Sequence, residues 1–163
     1  MIRYVLPEDD LQEISNVYEQ SWKYAYKDII PQSYLDSIPS GRWADNINKN
    51  NRKNLIMLEK GSIIGTLSFC KSRWEQYNHY GEIVSIYFLP QYIGKGYGKS
   101  LLDKAVEELK FLGFQYILLW VLEDNHRARN FYEKYGFIFS GEYKNDNIGG
   151  KELREVMYVY QIN

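Results

Sequence analysis

Apolar residues in the first third of the chain recur at helical spacing and predict one amphipathic helix. Its inward face comprises Leu11, Ile14, Val17, Tyr18, Ser21, Trp22 and Ala25. A periodic stretch of this kind, opened by Pro7, is typical of a helix that covers a core. A short strand is predicted before it at residues 2–5, and shorter helical segments are predicted after it at residues 33–38 and 42–48.

The middle of the chain changes to the two-residue alternation of β-strands. Residues 54–59 and 62–71 flank a Lys-Gly pair and therefore predict a hairpin. Residues 80–89 predict a third strand, which ends at a proline. Three consecutive strands with short connections favour an antiparallel arrangement in this part of the chain.

The second half of the chain contains both helical spacing and the patterns of β-strands. Helical residues 101–112 separate the third strand from residues 116–122, which are almost wholly apolar and so predict a strand covered on both faces. This strand, helix, strand order predicts a parallel crossover. A helix at 125–135 and strands at 137–142 and 153–161 follow. We therefore expect an α/β (α+β) fold, with a mixed, mostly antiparallel central sheet that contains one parallel βαβ crossover and is flanked by helices.

Composition narrows the class of protein. With 163 residues, 45% of them hydrophobic, the chain can bury one core, so residues 1–163 are expected to form a single domain. A net charge of −1 gives no general basic field, and no nucleic-acid partner is expected. The most apolar run, residues 116–122, is far too short to span a membrane, which favours a cytoplasmic protein. Cys70 and two distant histidines have no metal-ligand spacing, so no metal site is predicted.

The turn before the helix at 101–112 carries the clearest chemistry. In "QYIGKGYGKSLL", glycines occupy every second position from Gly94 to Gly98. Glycine lets main-chain N–H groups approach a ligand, and N–H groups at a helix start bind anions, so a phosphate is expected here. The nucleoside-triphosphate loop would need a glycine at Ile93, and the dinucleotide fingerprint would need one at Lys99. The turn fits neither pattern, and the alternative is that its glycines only form a tight strand-to-helix connection.

Two segments carry a resemblance to a known family. "YFLPQYIGKGYGKSLL" is similar to the strand, proline and pyrophosphate loop of the GNAT superfamily of acetyl-coenzyme-A-dependent N-acetyltransferases, and "NHRARNFYEKYGF" resembles that family's Asn-x-x-Ala-x-x-Phe-Tyr segment. A weaker similarity is "SWKYAYKDIIPQSYL", of the kind that lies over the acceptor site in one branch. One departure is Ile93, which stands where the family has Arg or Gln, so anchoring by that side chain is absent.

The resemblance implies acetyl-coenzyme A as the cofactor and a GNAT-like acyl-CoA N-acyltransferase fold. Main-chain N–H groups of the turn would cradle the pyrophosphate, and the pantetheine arm would pair with a splayed strand end like an added strand. Asn125 would hold this arm and Ala128 would leave room for it, although Asn125 could equally be only a helix N-cap. The expected cofactor-binding residues are Tyr87, Phe88, Ile93, Gly94, Lys95, Gly96, Tyr97, Gly98, Lys99, Ser100, Asn125, Ala128 and Arg129.

The resemblance also implies catalytic residues. Tyr132 matches the family's tyrosine, whose hydroxyl protonates the departing thiolate; the alternative is that Tyr132 only packs among aromatic neighbours. Glu82 resembles the catalytic glutamate of the histone-acetylating branch in strand and spacing, and a partly desolvated carboxylate could take a proton from an ammonium through a water. Glu82 could also be a solvated edge charge. His79 is a second candidate base, although a histidine near a strand end is more often just exposed.

Aromatic residues are expected to line the acceptor side. Trp22 and Tyr26 are implied by the resemblance, Trp120 by its strand position, and Tyr34 is a further candidate. These rings could cover an amine by cation–π contact. Because Trp22 falls on the apolar stripe of the first helix, it could instead belong to the core.

The predicted function is an N-acetyltransferase that acts directly on a primary amine of a small molecule or a peptide. A catalytically weak or inactive acyl-CoA-binding regulatory module is the alternative, which Tyr132 opposes and Ile93 favours. A nucleotide-phosphate protein is a third hypothesis, which the missing loop glycine disfavours. The identity of the amine stays open, and a homodimer is also considered because such folds often pair.

Overall fold

A seven-stranded sheet runs through the computed structural model, which describes residues 1–163. Its strands are β1 (Ile2–Tyr4), β2 (Lys53–Glu59), β3 (Ser62–Lys71), β4 (Gly81–Phe88), β5 (Tyr116–Leu122), β6 (Ile138–Ile148) and β7 (Lys151–Gln161). The strand order is β1-β2-β3-β4-β5-β7-β6, and every neighbouring pair is antiparallel except β4 and β5. The predicted fold class, a mostly antiparallel sheet with one parallel crossover, is confirmed.

Four α-helices cover the sheet: α1 (Leu11–Ala25), α2 (Gln32–Asp36), α3 (Tyr97–Phe111) and α4 (His126–Tyr135). The helices lie on opposite faces of the sheet. Contacts along β2 show this, because successive side chains of a strand point to opposite sides. Leu55 and Met57 pack in one apolar cluster with α3 and α4, whereas Ile56 between them packs in another with α1. None of the helices has the length and hydrophobicity that a membrane crossing requires.

Strands β4 and β5 diverge soon after they meet. They pair only at Gly81 with Ile117 and at Glu82 with Leu118. Beyond this point β4 remains bonded to β3 on its other side, as far as Phe88. The edge of β4 that faces β5 therefore carries main-chain groups without a strand partner, and a gap opens through the sheet between α1 on one face and α4 on the other.

Two predicted elements differ from the structure. Residues 42–48 form only a 3₁₀ turn at Ala44–Asn46, because Asn48 takes a left-handed conformation (φ 60°) that a helix cannot continue. Strand β6 continues to Ile148, well beyond the predicted residue 142, and joins β7 through Gly149 and Gly150. Because β6 lies at the sheet edge and its side chains are mostly exposed, its polar sequence carries no apolar alternation that would predict a strand.

Candidate active site

A cavity of about 870 Å³ occupies the gap between β4 and β5. On one face of the sheet it is lined by α1, and on the other by the glycine turn, α3 and α4. The edge of β4 and the hairpin of β6 and β7 complete its walls. The cavity therefore connects the two predicted sites, the anion-binding turn and the aromatic acceptor side, through the sheet.

The glycine turn presents a row of free donors. None of the main-chain N–H groups from Gly94 to Lys99 makes a hydrogen bond within the protein. Gly94 (φ 79°) and Gly96 (φ 87°) adopt left-handed conformations, and a Cβ built on either would have no atom within 4 Å. Gly96 is also the N-cap of α3 and supplies no capping side chain. Free N–H groups, open space and a helix N-terminus together suit a diphosphate.

The remaining residues of the turn have different surroundings. A Cβ on Gly98 would lie 3.2 Å from the ring of Phe131, so this glycine allows α3 to pack against α4. Lys99 lines the cavity and is exposed, with its ammonium 2.9 Å from Asp103. Ile93 lines the cavity and packs against the core, as its apolar side chain requires.

Four residues predicted to bind the cofactor do not line the cavity: Arg129, described below, and three residues of the turn. The Lys95 ammonium lies 5.8 Å from the centre of the Tyr92 ring, and the Tyr97 hydroxyl donates to Glu59 at 2.9 Å. Ser100 lies exposed in the first turn of α3. The main-chain N–H groups of Lys95 and Tyr97 are free for a ligand, whereas the Ser100 N–H donates to the Gly96 carbonyl at 3.5 Å.

The pantetheine-side residues come together along β4 and the start of α4. Tyr87, Phe88, Asn125 and Ala128 all line the cavity. The Asn125 side chain accepts a hydrogen bond from the Ala128 N–H at 3.3 Å, so it is a helix N-cap and a buried wall residue at once. Arg129 lies outside the cavity, where its guanidinium donates to the Tyr158 hydroxyl at 3.0 Å and to a main-chain carbonyl.

Tyr132 of α4 is one of the residues that line the cavity. The residue is only 8% exposed. Burial, and then the neighbouring Tyr87 phenol, raise the pKa of Tyr132 well above 10. Burial likewise raises the pKa of Tyr26 to about 12. These phenols therefore keep their protons through the physiological range, and Tyr132 has a proton to donate.

Glu82 does not reach the cavity. It is 1% exposed and lies where β4 and β5 are still paired. Its carboxylate accepts hydrogen bonds from the Arg73 guanidinium, the shortest at 2.6 Å, and from the Arg73 main-chain N–H at 3.1 Å. The exposed-edge alternative is wrong, and this placement does not support the role of base. His79 is exposed, with its ring against Tyr80.

Three of the four aromatic residues predicted for the acceptor side line the cavity. Trp22 and Tyr26 meet edge to face with ring centres 4.9 Å apart, and Trp120 lies across from them on β5. The indole N–H groups of Trp22 and Trp120 have no acceptor in the protein. Tyr34 lies outside the cavity; its hydroxyl accepts a hydrogen bond from Arg42 at 2.8 Å.

Glu155 is among the lining residues that the sequence analysis missed. It lies on β7 directly opposite Leu122 of β5, and its side chain is 21% exposed. The signal was present in the alternation of Leu153, Glu155 and Met157, where a charge interrupts an otherwise apolar face. It could be interpreted only after β7 was known to neighbour β5.

Residues 11–137 match the Acetyltransferase (GNAT) family. The chain belongs to this family. A 35% identical relative, matched over 91% of this chain and 86% of its own length, is the uncharacterized N-acetyltransferase YuaI of Bacillus subtilis. Two further relatives of this GNAT protein have named acceptors: a [ribosomal protein bS18]-alanine N-acetyltransferase of Haemophilus influenzae (36% identical; 72% and 82% covered) and a spermidine N(1)-acetyltransferase of Thermoplasma acidophilum (26%; 79% and 83%).

Among solved structures, the GNAT protein resembles the PaiA N-acetyltransferase of Thermoplasma acidophilum, determined in complex with coenzyme A. The TM-score is 0.73, with 22% identity and 99% of each chain covered. This likeness supports the fold. Membership of the family makes the protein an acyltransferase, and the acetyl donor of the family is acetyl-coenzyme A.

Proposed function

We propose that this protein transfers an acetyl group from acetyl-coenzyme A directly to a primary amine of a small molecule or a peptide. The observation that carries the proposal is the continuity of the cavity. It joins a turn of free N–H groups to a buried, protonated Tyr132 hydroxyl and then to an aromatic wall on the opposite face of the sheet. A donor and an acceptor could therefore occupy it together.

The cofactor side would be held mainly by the main chain. N–H groups from Gly94 to Lys99, aligned with the positive end of the α3 dipole, would bind the pyrophosphate. The unpaired edge of β4, from Ser85 to Phe88, would pair with the amides of the pantetheine arm. Since these contacts use no particular side chain, the presence of Ile93 in place of Arg or Gln would not prevent binding.

Tyr132 would act as the general acid. When bound, acetyl-coenzyme A supplies an activated thioester whose leaving thiol has an ordinary pKa of about 8.5. The Tyr132 hydroxyl holds its proton at neutral pH and its side chain lines the cavity, so it would donate that proton at the sulfur position. Glu82 does not line the cavity, so the acceptor ammonium would lose its proton to water there rather than to this carboxylate.

The relatives indicate two classes of acceptor and do not favour either. One is named for an alanine of a ribosomal protein and the other for spermidine, so both a peptide amine and a small polyamine are represented. Both acceptors present an amine, which the Trp22 and Trp120 rings could cover by cation–π contact.

Thiol release from acetyl-coenzyme A tests the proposal across a panel of small amines and N-terminal peptides. We expect release that depends on at least one amine. Tight binding of coenzyme A in calorimetry without release for any amine would instead identify an acyl-CoA-binding regulatory module. If ATP raises the Tm and acetyl-coenzyme A does not, the turn binds a nucleotide phosphate rather than coenzyme A, and the proposal is wrong.

A further inference from the structure

A lysine ammonium occupies a three-sided site at the acceptor end of the cavity. The Lys144 Nζ lies 4.5 Å from the ring centre of Trp74 and 4.8 Å from that of Trp120. The Glu155 carboxylate closes the third side, with Oε2 3.4 Å from Nζ. Indole is the aromatic ring that attracts an organic ammonium ion most strongly, and the carboxylate adds an opposite charge. This set is called the ammonium cage below.

The ammonium cage opens into the cavity through two of its three walls. Trp120 and Glu155 line the cavity, whereas Lys144 does not. Glu155 lies opposite Leu122, which packs in the same cluster as Trp22 and Tyr26. An acceptor that enters beside these rings would therefore meet the cage with its far end while its near end lies towards Tyr132.

Glu155 is the carboxylate best placed to meet a second charge of the acceptor. The other acid that lines the cavity is Asp103, which lies on α3 by the cofactor side. Asp103 is already bonded to Lys99 at 2.9 Å and to the Tyr135 hydroxyl at 2.7 Å. The two acids thus lie on opposite faces of the sheet, and only Glu155 borders the acceptor side.

The Lys144 side chain is free to move out of the cage. It lies on the edge strand β6 as the cross-strand neighbour of Glu155, and its side chain is 33% exposed. A lysine side chain has four rotatable bonds and a strongly hydrated head, so it can extend into solvent from an edge position. Replacing one ammonium by another leaves the charge of the cage unchanged, and the exchange carries little electrostatic cost.

We propose that the cage of Trp74, Trp120 and Glu155 is a subsite for a second ammonium of the acceptor, and that Lys144 fills it when no acceptor is bound. The inference rests on the proposed function and names its substrate class as diamines and longer polyamines. One terminal amine reacts beside Tyr132, while a distal ammonium displaces Lys144. A monoamine of the same length lacks the group that the cage binds.

Three acceptors of equal chain length test this selectivity: 1,4-diaminobutane, 1-aminobutane and 4-aminobutanoate. For the unmodified protein we expect kcat/KM at least about tenfold higher for the diamine than for the monoamine. Glu155→Gln should raise the ratio of the diamine KM to the monoamine KM about tenfold. Lys144→Met should lower the diamine KM several-fold, because the competing ammonium is gone.

Two neighbouring substitutions on the same hairpin serve as matched controls. Glu152→Gln and Lys151→Met remove the same charges outside the cage and should leave all three KM values unchanged. Equal KM values for the diamine and the monoamine in the unmodified protein would overturn the proposal. A higher diamine KM in Lys144→Met would also overturn it. A preference for 4-aminobutanoate that disappears in Lys144→Met would overturn it too, and would make Lys144 an anion-binding group instead.

Binding measurements separate this proposal from the proposed function. Calorimetric titration of 1,4-diaminobutane into the protein saturated with coenzyme A should show binding that weakens about tenfold in Glu155→Gln. If no amine is acetylated but this binding is present, the cage is supported and the transferase proposal fails. If amines are acetylated but the diamine affinity does not depend on Glu155, the cage is refuted and the transferase proposal stands.

Discussion

The cofactor side and the acceptor side of the cavity are built in different ways. Residues from β4 through α4 form one continuous segment, and this segment supplies the free N–H groups, the strand edge and Tyr132. The acceptor side takes only β5 from this segment, and its other side chains come from α1 and the β6–β7 hairpin, which lie far apart in the chain. A ligand bound by the main chain of one segment has a recognisable local sequence, whereas a ligand bound by scattered side chains does not.

The largest effect is expected from a side chain in the turn. Gly96→Val should abolish detectable coenzyme A binding, because a branched side chain would fill the open space beside the free N–H groups and strain a left-handed residue. Gly113→Val is the matched control, since Gly113 also has positive φ and open surroundings at the other end of α3. Both variants should lose about 1–2 kcal/mol of stability, measured by urea unfolding.

Only Gly96→Val should lose coenzyme A binding in calorimetry. If both variants lose binding equally, general strain rather than occlusion of the turn is responsible. Retained binding in Gly96→Val would remove the turn from the cofactor site and with it the contrast between the two sides.

The next effect concerns proton donation where the two sides meet. Tyr132→Phe should lower kcat about 10- to 100-fold with little change in coenzyme A affinity, because only the proton donor is removed. Tyr116→Phe, a hydroxyl deletion on β5 outside the cavity, should leave kcat unchanged. Stopped-flow measurement of thiol release gives both values, and full activity in Tyr132→Phe would exclude the hydroxyl from the reaction.

Glu82 should act on stability rather than on turnover. Glu82→Gln removes the charge that accepts from Arg73, and a charge-assisted hydrogen bond of this kind contributes about 2 kcal/mol. Arg73→Gln should lower the free energy of unfolding by a similar amount. A tenfold loss of kcat in Glu82→Gln at full stability, with loss of the acid limb of the pH–rate profile, would restore Glu82 as the base.

The smallest effect is a loss of stability at alkaline pH. Burial raises the pKa of Tyr26 to about 12, whereas the unfolded phenol titrates near about 10. Stability from this group is therefore complete below pH 10 and is lost as pH rises towards 12, by about 1 kcal/mol at pH 11. Urea unfolding at pH 9 and pH 11 should show this loss, and Tyr26→Phe should reduce it; an unchanged pH dependence in the variant would contradict the assignment.

The sequence predicted the fold class, and most residues that it proposed for the cofactor line the cavity, because both depend on local patterns. Alternation, helical spacing and glycine positions identified β2 to β5, α3 and α4 to within a few residues. The free N–H row followed from glycine chemistry alone. By contrast, Lys95, Tyr97 and Ser100 were included for their types, and in the structure their side chains lie outside the cavity.

The acceptor side was less predictable because it depends on strand neighbours. Placement of Glu155 required the order β5-β7-β6, and placement of Lys144 required that a polar stretch form an edge strand. Tyr34, by contrast, was predicted to line the acceptor side, but α2 does not bring its ring to the cavity. Glu82 matched a familiar spacing, yet its surroundings were fixed by Arg73, which lies in a loop.

The early separation of β4 from β5 has a consequence for how this sequence can diversify. Recognition by a strand edge depends on backbone direction, and backbone direction is insensitive to which side chains the strand carries. The wall of the acceptor pocket depends on side-chain identity, since each ring or charge there acts through its own chemistry. If the two sides bind as proposed, substitutions that change the choice of amine can accumulate on one face of the sheet without weakening the binding of the acyl carrier on the other.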